Sequence, residues 1–399
     1  MTNASLLAQP LTLPSGAVLK NRLIKSPMSD SLGDGAGNAT AEQARLYERW
    51  AQGGTALSII GEAQVTPHFP EKPGNLVLIP DADLGALQAL ATKGAANNTH
   101  IWPQLGHAGA LAHAPVSHAK GPSPLDLDGL RCDGLSLDDI HALPPSYAQA
   151  ALVAKQAGFS GVQIHAGHGF LFSQFLSPLF NHRTDAYGGA VPDRFRVIGE
   201  TIDAVRRAVG PNFPIGIRIN ATDKLAGGLT TQDALHVITL LDQTSVDLID
   251  ISGGTYFPGA PSSSDGTNDD GAYFADFARQ AKTATAIPLT LTGGIKTRQQ
   301  AVEVLASGAA DAVGLARTMC LDPALPDKWM TPAGGDPAFP RFQNTVPGGI
   351  TAWYSMRLTA IAEDREDAFD MDLQTALDTY DTRDADRSLT WRVRFPDVG

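Results

Sequence analysis

Reactive thiols are scarce in this 399-residue chain, which has two cysteines, Cys132 and Cys320. Two thiols cannot hold an iron–sulfur cluster, which needs four ligands, nor a cysteine-based zinc site. A disulfide is poorly matched to a chain whose opening, MTNASLLAQPLTLPSG, lacks the basic-then-apolar pattern of an export signal. No run approaches ~20 consecutive apolar residues, so no transmembrane helix and no membrane partner is expected. Positive charge is short as well: 30 Lys and Arg face 42 Asp and Glu, a formal charge of −12. The basic residues are scattered singly, which argues against nucleic acid as a partner. With 43 % hydrophobic and 18 % charged residues, a large core is available and disorder is not expected. The expectation is a reduced cytoplasmic protein.

What the chain does have is a regular alternation of short β-type runs and longer helical ones. KNRLIKS (20–26) reads as a strand. Thr40 then stands as an N-cap ahead of AEQARLYERWAQ, with Gly53 as its stop. TALSII follows from Thr55, LGALQALATKGA leads to HIWPQL at His100, and SYAQAALVAKQAG leads to GVQIH at Gly161. Further helix-and-strand pairs end in PIGIRIN, DLIDIS, IPLTLT and ADAVGL. Strands alternating with helices of this length argue for βαβ units and a parallel sheet. Eight such units fit a closed (β/α)8 barrel better than an open sheet, because no terminal run is polar enough to be an edge. The predicted fold is therefore α/β: a single (β/α)8 TIM barrel over residues 1–364, with a short helical C-terminal extension over 365–399. The Gly-, Pro-, Ser- and Asp-rich stretch 257–271 reads as a loop after the sixth strand, placed to act as a lid.

In such a barrel the chemistry sits at the C-terminal ends of the strands. Those ends carry Ser26-Pro27-Met28-Ser29, Glu62-Ala63, Gln104 to His107, His165 to His168, Arg218, Ser252-Gly253-Gly254, Thr292-Gly293-Gly294 and Ala316-Arg317. Gly293 and Gly294 after the seventh strand, with Arg317 after the eighth, are placed to bind a phosphate through backbone N–H groups and a guanidinium fork. The plainer alternative is a tight turn beside a surface arginine. His165 and His168 admit three chemical uses: metal ligation with His107 as a third ligand, proton transfer, or donation of N–H to a carbonyl or nitro oxygen. They could also serve packing alone. No carboxylate motif accompanies them, and no metal is assigned. Arg218 ends an otherwise apolar strand, either paired with an internal carboxylate or held as a fixed positive charge toward a ligand. Gln104 offers a donor and an acceptor to a heterocycle edge.

Six segments, KNRLIKSPMS (20–29), WPQLGHAG (102–109), GVQIHAGHGFLFSQFLSPLFNHRTDAYGG (161–189), IGIRIN (215–220), TGGI (292–295) and DAVGLAR (311–317), resemble in order those of the old yellow enzyme family. That family comprises FMN-dependent NAD(P)H oxidoreductases and ene-reductases, and the likeness runs over about residues 5 to 360. The resemblance implies FMN as cofactor and NADPH or NADH as reductant. Ser26, Pro27, Met28 and Ser29 would line the flavin's pyrimidine and N5 side, with Ala63 and Gln104 at the ring edge. Arg218 would stand near N1, while Gly293, Gly294, Ala316 and Arg317 would hold the phosphate. His165 and His168 would grip the carbonyl or nitro oxygen of an activated alkene or related electrophile, which receives hydride in a ping-pong cycle. Relatives often assemble into oligomers, and the tail beyond Arg365 is available for that.

Three positions depart from the family pattern. Phe170 stands where the family usually has a Tyr that protonates the substrate's α-carbon. Ser29 replaces the usual Thr or Cys. Ser31 replaces an aromatic that caps the substrate pocket, which implies a wider or more polar pocket. Two rival readings remain at this level: a flavin-free phosphate-binding aldolase or isomerase, using Lys25 or Glu62, and a flavin-binding relative with little turnover. Lys25 should point away from the pocket if Ser26 faces it.

Overall fold

The structure is a computed structural model that describes residues 6–127, 129–260, 271–331, 334–342 and 346–398, apart from the side chain of Glu62. Eight parallel strands form its centre: β1 (Leu23–Lys25), β2 (Leu57–Gln64), β3 (His100–Gly106), β4 (Val162–Ala166), β5 (Ile215–Asn220), β6 (Leu248–Ser252), β7 (Leu289–Thr292) and β8 (Ala312–Leu315). They pair in sequence order, and β8 returns to β1 through Val313↔Leu23 and Leu315↔Lys25, which closes the barrel without an edge. The predicted eight-stranded barrel is thus observed. A hairpin, Leu11–Thr12 with Val18–Leu19, covers the N-terminal end and packs Leu11 and Leu19 against Trp102 and Ile59. The opposite end is left for the βα loops.

Local chemistry sets the outer helices. α1 (Ala41–Gln52) starts at Thr40, whose side chain accepts the Gln43 N–H, and stops at Gly53 as expected. Next come α2 (Leu84–Gly94), α3 (Leu137–Gln156), α4 (Val191–Val209), α5 (Thr231–Leu241), α6 (Ala275–Ala284) and α7 (Arg298–Ala306). α3 begins earlier than the run SYAQAALVAKQAG suggests. A Ser136/Asp139 capping box starts it at Leu137, and it carries Pro144 and Pro145 inside. Those prolines remove donors for two carbonyls of the preceding turn, while Ser146 Oγ donates to the Ala142 carbonyl at 2.8 Å.

The C-terminal segment carries α8 (Gly349–Ala362) and α9 (Leu373–Arg394). α9 lies across the βα loops at the C-terminal mouth. Its Arg387 Nη1 donates to the Ser31 carbonyl at 2.6 Å, Arg392 Nη2 donates to the Pro115 carbonyl at 2.6 Å, and Trp391 packs with Val77 and Val116. Of the loop read as a lid, residues 261–270 lie outside the described residues. Its first residue, Phe257, stacks on Phe180 with centroids 3.7 Å apart. No helix among the described residues is long and apolar enough to cross a membrane.

Candidate active site

A cavity of about 480 Å³ opens at the C-terminal mouth. Eleven of the thirteen residues singled out from the sequence line it: Pro27, Met28, Ser29, Gln104, His165, His168, Arg218, Gly293, Gly294, Ala316 and Arg317. The other two, Ser26 and Ala63, are fully buried behind it. Ser26 points into the barrel, where its Oγ bonds Thr292 Oγ1 at 2.8 Å. Ala63 follows a register shift in β2 and sits beside Leu105 and Leu76. The glycine at 314 is required by this contact, since a Cβ there would collide with both Thr292 Oγ1 and Ser26 Oγ.

The strands hold a buried polar network beneath the cavity. Gln104 Nε2 donates to Gln163 Oε1 at 2.7 Å, and Thr292 Oγ1 donates to Asp250 Oδ1 at 2.8 Å. Register places His165, Arg218 and Asp250 abreast on β4, β5 and β6. Arg218 is 3 % exposed, and its Nε has no hydrogen-bond partner; the nearest carboxylate oxygen, Asp250 Oδ2, is 3.6 Å away. Arg218 stands beside an internal Asp and also lines the cavity, a placement compatible with either reading offered for it. Burial pushes the Asp250 carboxyl above its usual range, while the charge of Arg218 and the bonds from Thr292 and Gln163 pull it back.

The two histidines stand 5.4 Å apart, centroid to centroid. Burial holds both imidazoles well below their ordinary pKa, and the charge of Arg218 adds to this, so both are neutral at pH 7. His165 Nδ1 accepts the Gly167 N–H at 3.4 Å, which puts the ring proton on Nε2. His168 is held in a left-handed conformation, φ 58°. Its backbone N–H donates to Asn220 Oδ1 at 2.9 Å and its Nε2 bonds Ser252 Oγ at 2.9 Å. His107, considered above as a third ligand, is not on the cavity wall and stacks on Phe69 at 4.3 Å. No group of three metal-ligating side chains occurs among the described residues.

At the far end of the cavity, Gly293 and Gly294 have φ of 122° and 78°, and a Cβ on Gly294 would meet the Gly271 carbonyl and the Tyr273 ring. Only glycine fits that turn, and it lies beside Arg317 on the cavity wall. Ser29 Oγ donates to Glu71 Oε2 at 3.1 Å. Ser31 does not line the cavity. It is buried beneath Arg387, and α9 brings Leu377, Tyr380 and Asp381 into the wall. The wider opening expected at position 31 is thus covered by the C-terminal helix. Lys25 points away as expected, fully buried with Nζ 4.3 Å above the Trp50 ring. It cannot reach a substrate, which removes the lysine that an aldolase reading would use.

The sequence reading assigned no role to Asn220, Ser252, Asp250 or Tyr256. Asp250 and Ser252 were legible in principle: in DLIDIS they occupy alternate positions between isoleucines, where a strand points them inward. Tyr256 carries no such signal, because it belongs to a loop.

A guanidinium without a hydrogen bond at Nε, buried between an amide-lined wall and a glycine turn beside Arg317, fits the ring and phosphate of a flavin mononucleotide. The fold and this donor set define an FMN-dependent oxidoreductase of the barrel class. The chain belongs to the NADH:flavin oxidoreductase / NADH oxidase family, whose profile matches residues 6–331. It is an NAD(P)H-dependent flavin oxidoreductase. It is 32 % identical over 349 residues to the NADH-dependent flavin oxidoreductase iliE of Hypocrea jecorina, covering 79 % of this chain and 87 % of that protein. An NADPH dehydrogenase of Bacillus pumilus is 32 % identical over 322 residues, covering 80 % and 93 %. The chain spans about half the length of two other curated relatives that it matches. Among solved structures, morphinone reductase in complex with tetrahydroNAD superposes with a TM-score of 0.71 at 25 % identity, covering 84 % of this chain and 93 % of that one.

Proposed function

We propose that the enzyme reduces an activated alkene, an α,β-unsaturated carbonyl compound, with nitro compounds and quinones as related acceptors. The observation that carries this reading is the pair of imidazoles, His165 and His168, 5.4 Å apart beside Arg218 in the same cavity, where burial favours their neutral form. Two neutral N–H donors can hold an uncharged carbonyl oxygen and stabilise the negative charge that develops on it. In this reading Gly293, Gly294, Ala316 and Arg317 hold the FMN phosphate. Pro27, Met28, Ser29 and Gln104 face the ring, and Ser26 and Ala63 support them from behind. Arg218 keeps a fixed positive charge where electrons accumulate. FMN, when bound, supplies the hydride relay between nicotinamide and acceptor. His165 Nε2–H points the acceptor's oxygen, and Asn220 and Ser252 keep His168 in register with it. The buried, unpaired state of Cys132 and Cys320 agrees with a reducing, cytoplasmic setting.

The test is a two-stage anaerobic experiment. FMN-loaded protein is reduced with NADH or NADPH and then mixed with 2-cyclohexenone, a nitroarene or a quinone. Rapid reoxidation with formation of the saturated ketone supports the reading. Reoxidation by the quinone alone would show that the histidine pair does not serve alkene reduction.

A further inference from the structure

Adding hydride across a carbon–carbon double bond leaves the neighbouring carbon in need of a proton, so alkene reduction requires a proton donor within reach of the acceptor. The histidines do not supply it. Both are neutral, and in the reading above their single N–H groups are directed at the acceptor's oxygen rather than at its α-carbon. Phe170, whose ring lies 4.9 Å from that of His165, has no proton to give. The remaining phenols on the cavity wall are distributed unevenly. Tyr273 packs at the glycine turn against Gly294, Tyr354 stands beside Arg317, and Tyr380 is on α9 beside Lys72.

Tyr256 is different. Its ring centroid is 5.9 Å from the His168 ring and 5.9 Å from the Phe170 ring, and it lines the same cavity. The segment carrying it is tied to the histidine loop: its backbone N–H donates to the His168 carbonyl at 3.1 Å, and Thr255 forms a β-bridge with His168. Whatever oxygen His168 holds therefore lies in fixed relation to Tyr256. The side chain is also 65 % exposed, so water reaches it.

We propose that Tyr256 is the catalytic proton donor of the oxidative half-reaction, a role supplied by the loop after β6; this rests on the alkene-reductase reading above. The hydride delivered from the NAD(P)H-reduced cofactor forms a C–H bond at the β-carbon and the C=C π bond breaks. The electron pair released to the α-carbon takes the phenolic proton of Tyr256, forming the second C–H bond. The phenolate left behind regains a proton from water. The alkene is reduced by two electrons, and NAD(P)H is oxidised by two.

The experiment compares wild type with Tyr256→Phe, each FMN-loaded, reduced anaerobically and mixed with 2-cyclohexenone or with a quinone. The quinone takes its protons on oxygen, from solvent, and does not need the phenol. The expected result is that the ratio of enone to quinone reoxidation rate falls about a hundredfold, the size usual for loss of a general acid. Adding Phe170→Tyr to Tyr256→Phe, which restores a phenol beside His165, is expected to recover at least a tenth of the lost ratio. An unchanged ratio overturns the proposal, and so does an equal fall with both acceptors, which would mark Tyr256 as a structural part of the wall. If wild type is reoxidised by the quinone but leaves the enone untouched, the acceptor reading itself fails and takes this role with it.

Discussion

Arg218 and Asp250 are paired in register on β5 and β6, yet the shortest contact between them, Nε to Oδ2, is 3.6 Å and is not a hydrogen bond. The carboxyl is occupied elsewhere, by the Thr292 hydroxyl at 2.8 Å and the Gln163 amide at 3.4 Å. Asp250 thus offsets the charge of Arg218 without capturing its donors. The result is a guanidinium that keeps positive potential in the cavity, which helps hold both histidines neutral. A tight bidentate pair at the same place would have cancelled that potential.

Replacing Arg218 by Met should therefore weaken FMN binding about ten- to a hundredfold, the equivalent of ~1.5–3 kcal/mol for a charged hydrogen bond. Titration of the apoprotein by flavin fluorescence measures it. Asp250→Asn should act oppositely, raising the flavin midpoint potential by removing the compensating charge. A potential that does not move on Asp250→Asn would mean that burial already keeps this carboxyl protonated, against the pull of Arg218, Thr292 and Gln163.

His165→Ala with His168→Ala should leave FMN bound and reducible, because neither imidazole belongs to the glycine turn and Arg218 keeps its own place on the neighbouring strand. Reoxidation by an enone should fall by roughly 10²–10³, as for loss of preorganised donors to a developing oxyanion. Separate stopped-flow traces of the two half-reactions check this. Loss of NAD(P)H-driven reduction to the same degree would place the pair in nicotinamide binding instead.

How much of this site could be read from the sequence follows from where each residue sits. β-strand ends are short and their side chains alternate, so His165, Arg218 and the glycine turn at 293–294 were legible from position alone. So was the eight-unit barrel, whose first helix cap, Thr40, stands in the letters. α9 over the mouth was not legible. Its approach depends on Arg387 meeting Ser31 and Trp391 meeting Val77, contacts between residues more than three hundred positions apart. Tyr256 was hidden for the same reason: its relation to His168 is set by a backbone bridge between two loops, which no local pattern encodes.

The glycine turn makes a sharp test of the phosphate end. Gly294→Ala would put a methyl group into the Gly271 carbonyl and force a side chain into φ 78°. The expected outcome is a folded protein purified largely without flavin, seen as a fall in the visible-to-280 nm absorbance ratio. At saturating FMN, Arg218 and the histidines should still give enone turnover. Full retention of FMN would show that the phosphate is held away from this turn.

Lys25 offers a prediction about stability rather than catalysis. It is fully buried between β1 and α1, with Nζ 4.3 Å above the Trp50 ring and 5.4 Å above that of Tyr47. Burial lowers its pKa to about 8 from 10.5, with Asp30 and Cys320 opposing the shift and Arg218 adding to it. Because the folded state binds this proton less tightly than the unfolded chain, the charged form costs stability below about pH 8, and that cost fades as pH rises from about 8 to 10.5. The shift corresponds to roughly 3 kcal/mol at ~1.4 kcal/mol per pKa unit. Urea unfolding of wild type and Lys25→Met at pH 7.5 and 9.5 measures it. Wild type should gain on the variant at the higher pH, because the methionine has no proton to lose and keeps the apolar contact with Trp50. Parallel curves at the two pH values would mean that Lys25 keeps its proton in both states, its ammonium sufficiently compensated by the two aromatic faces and Asp30.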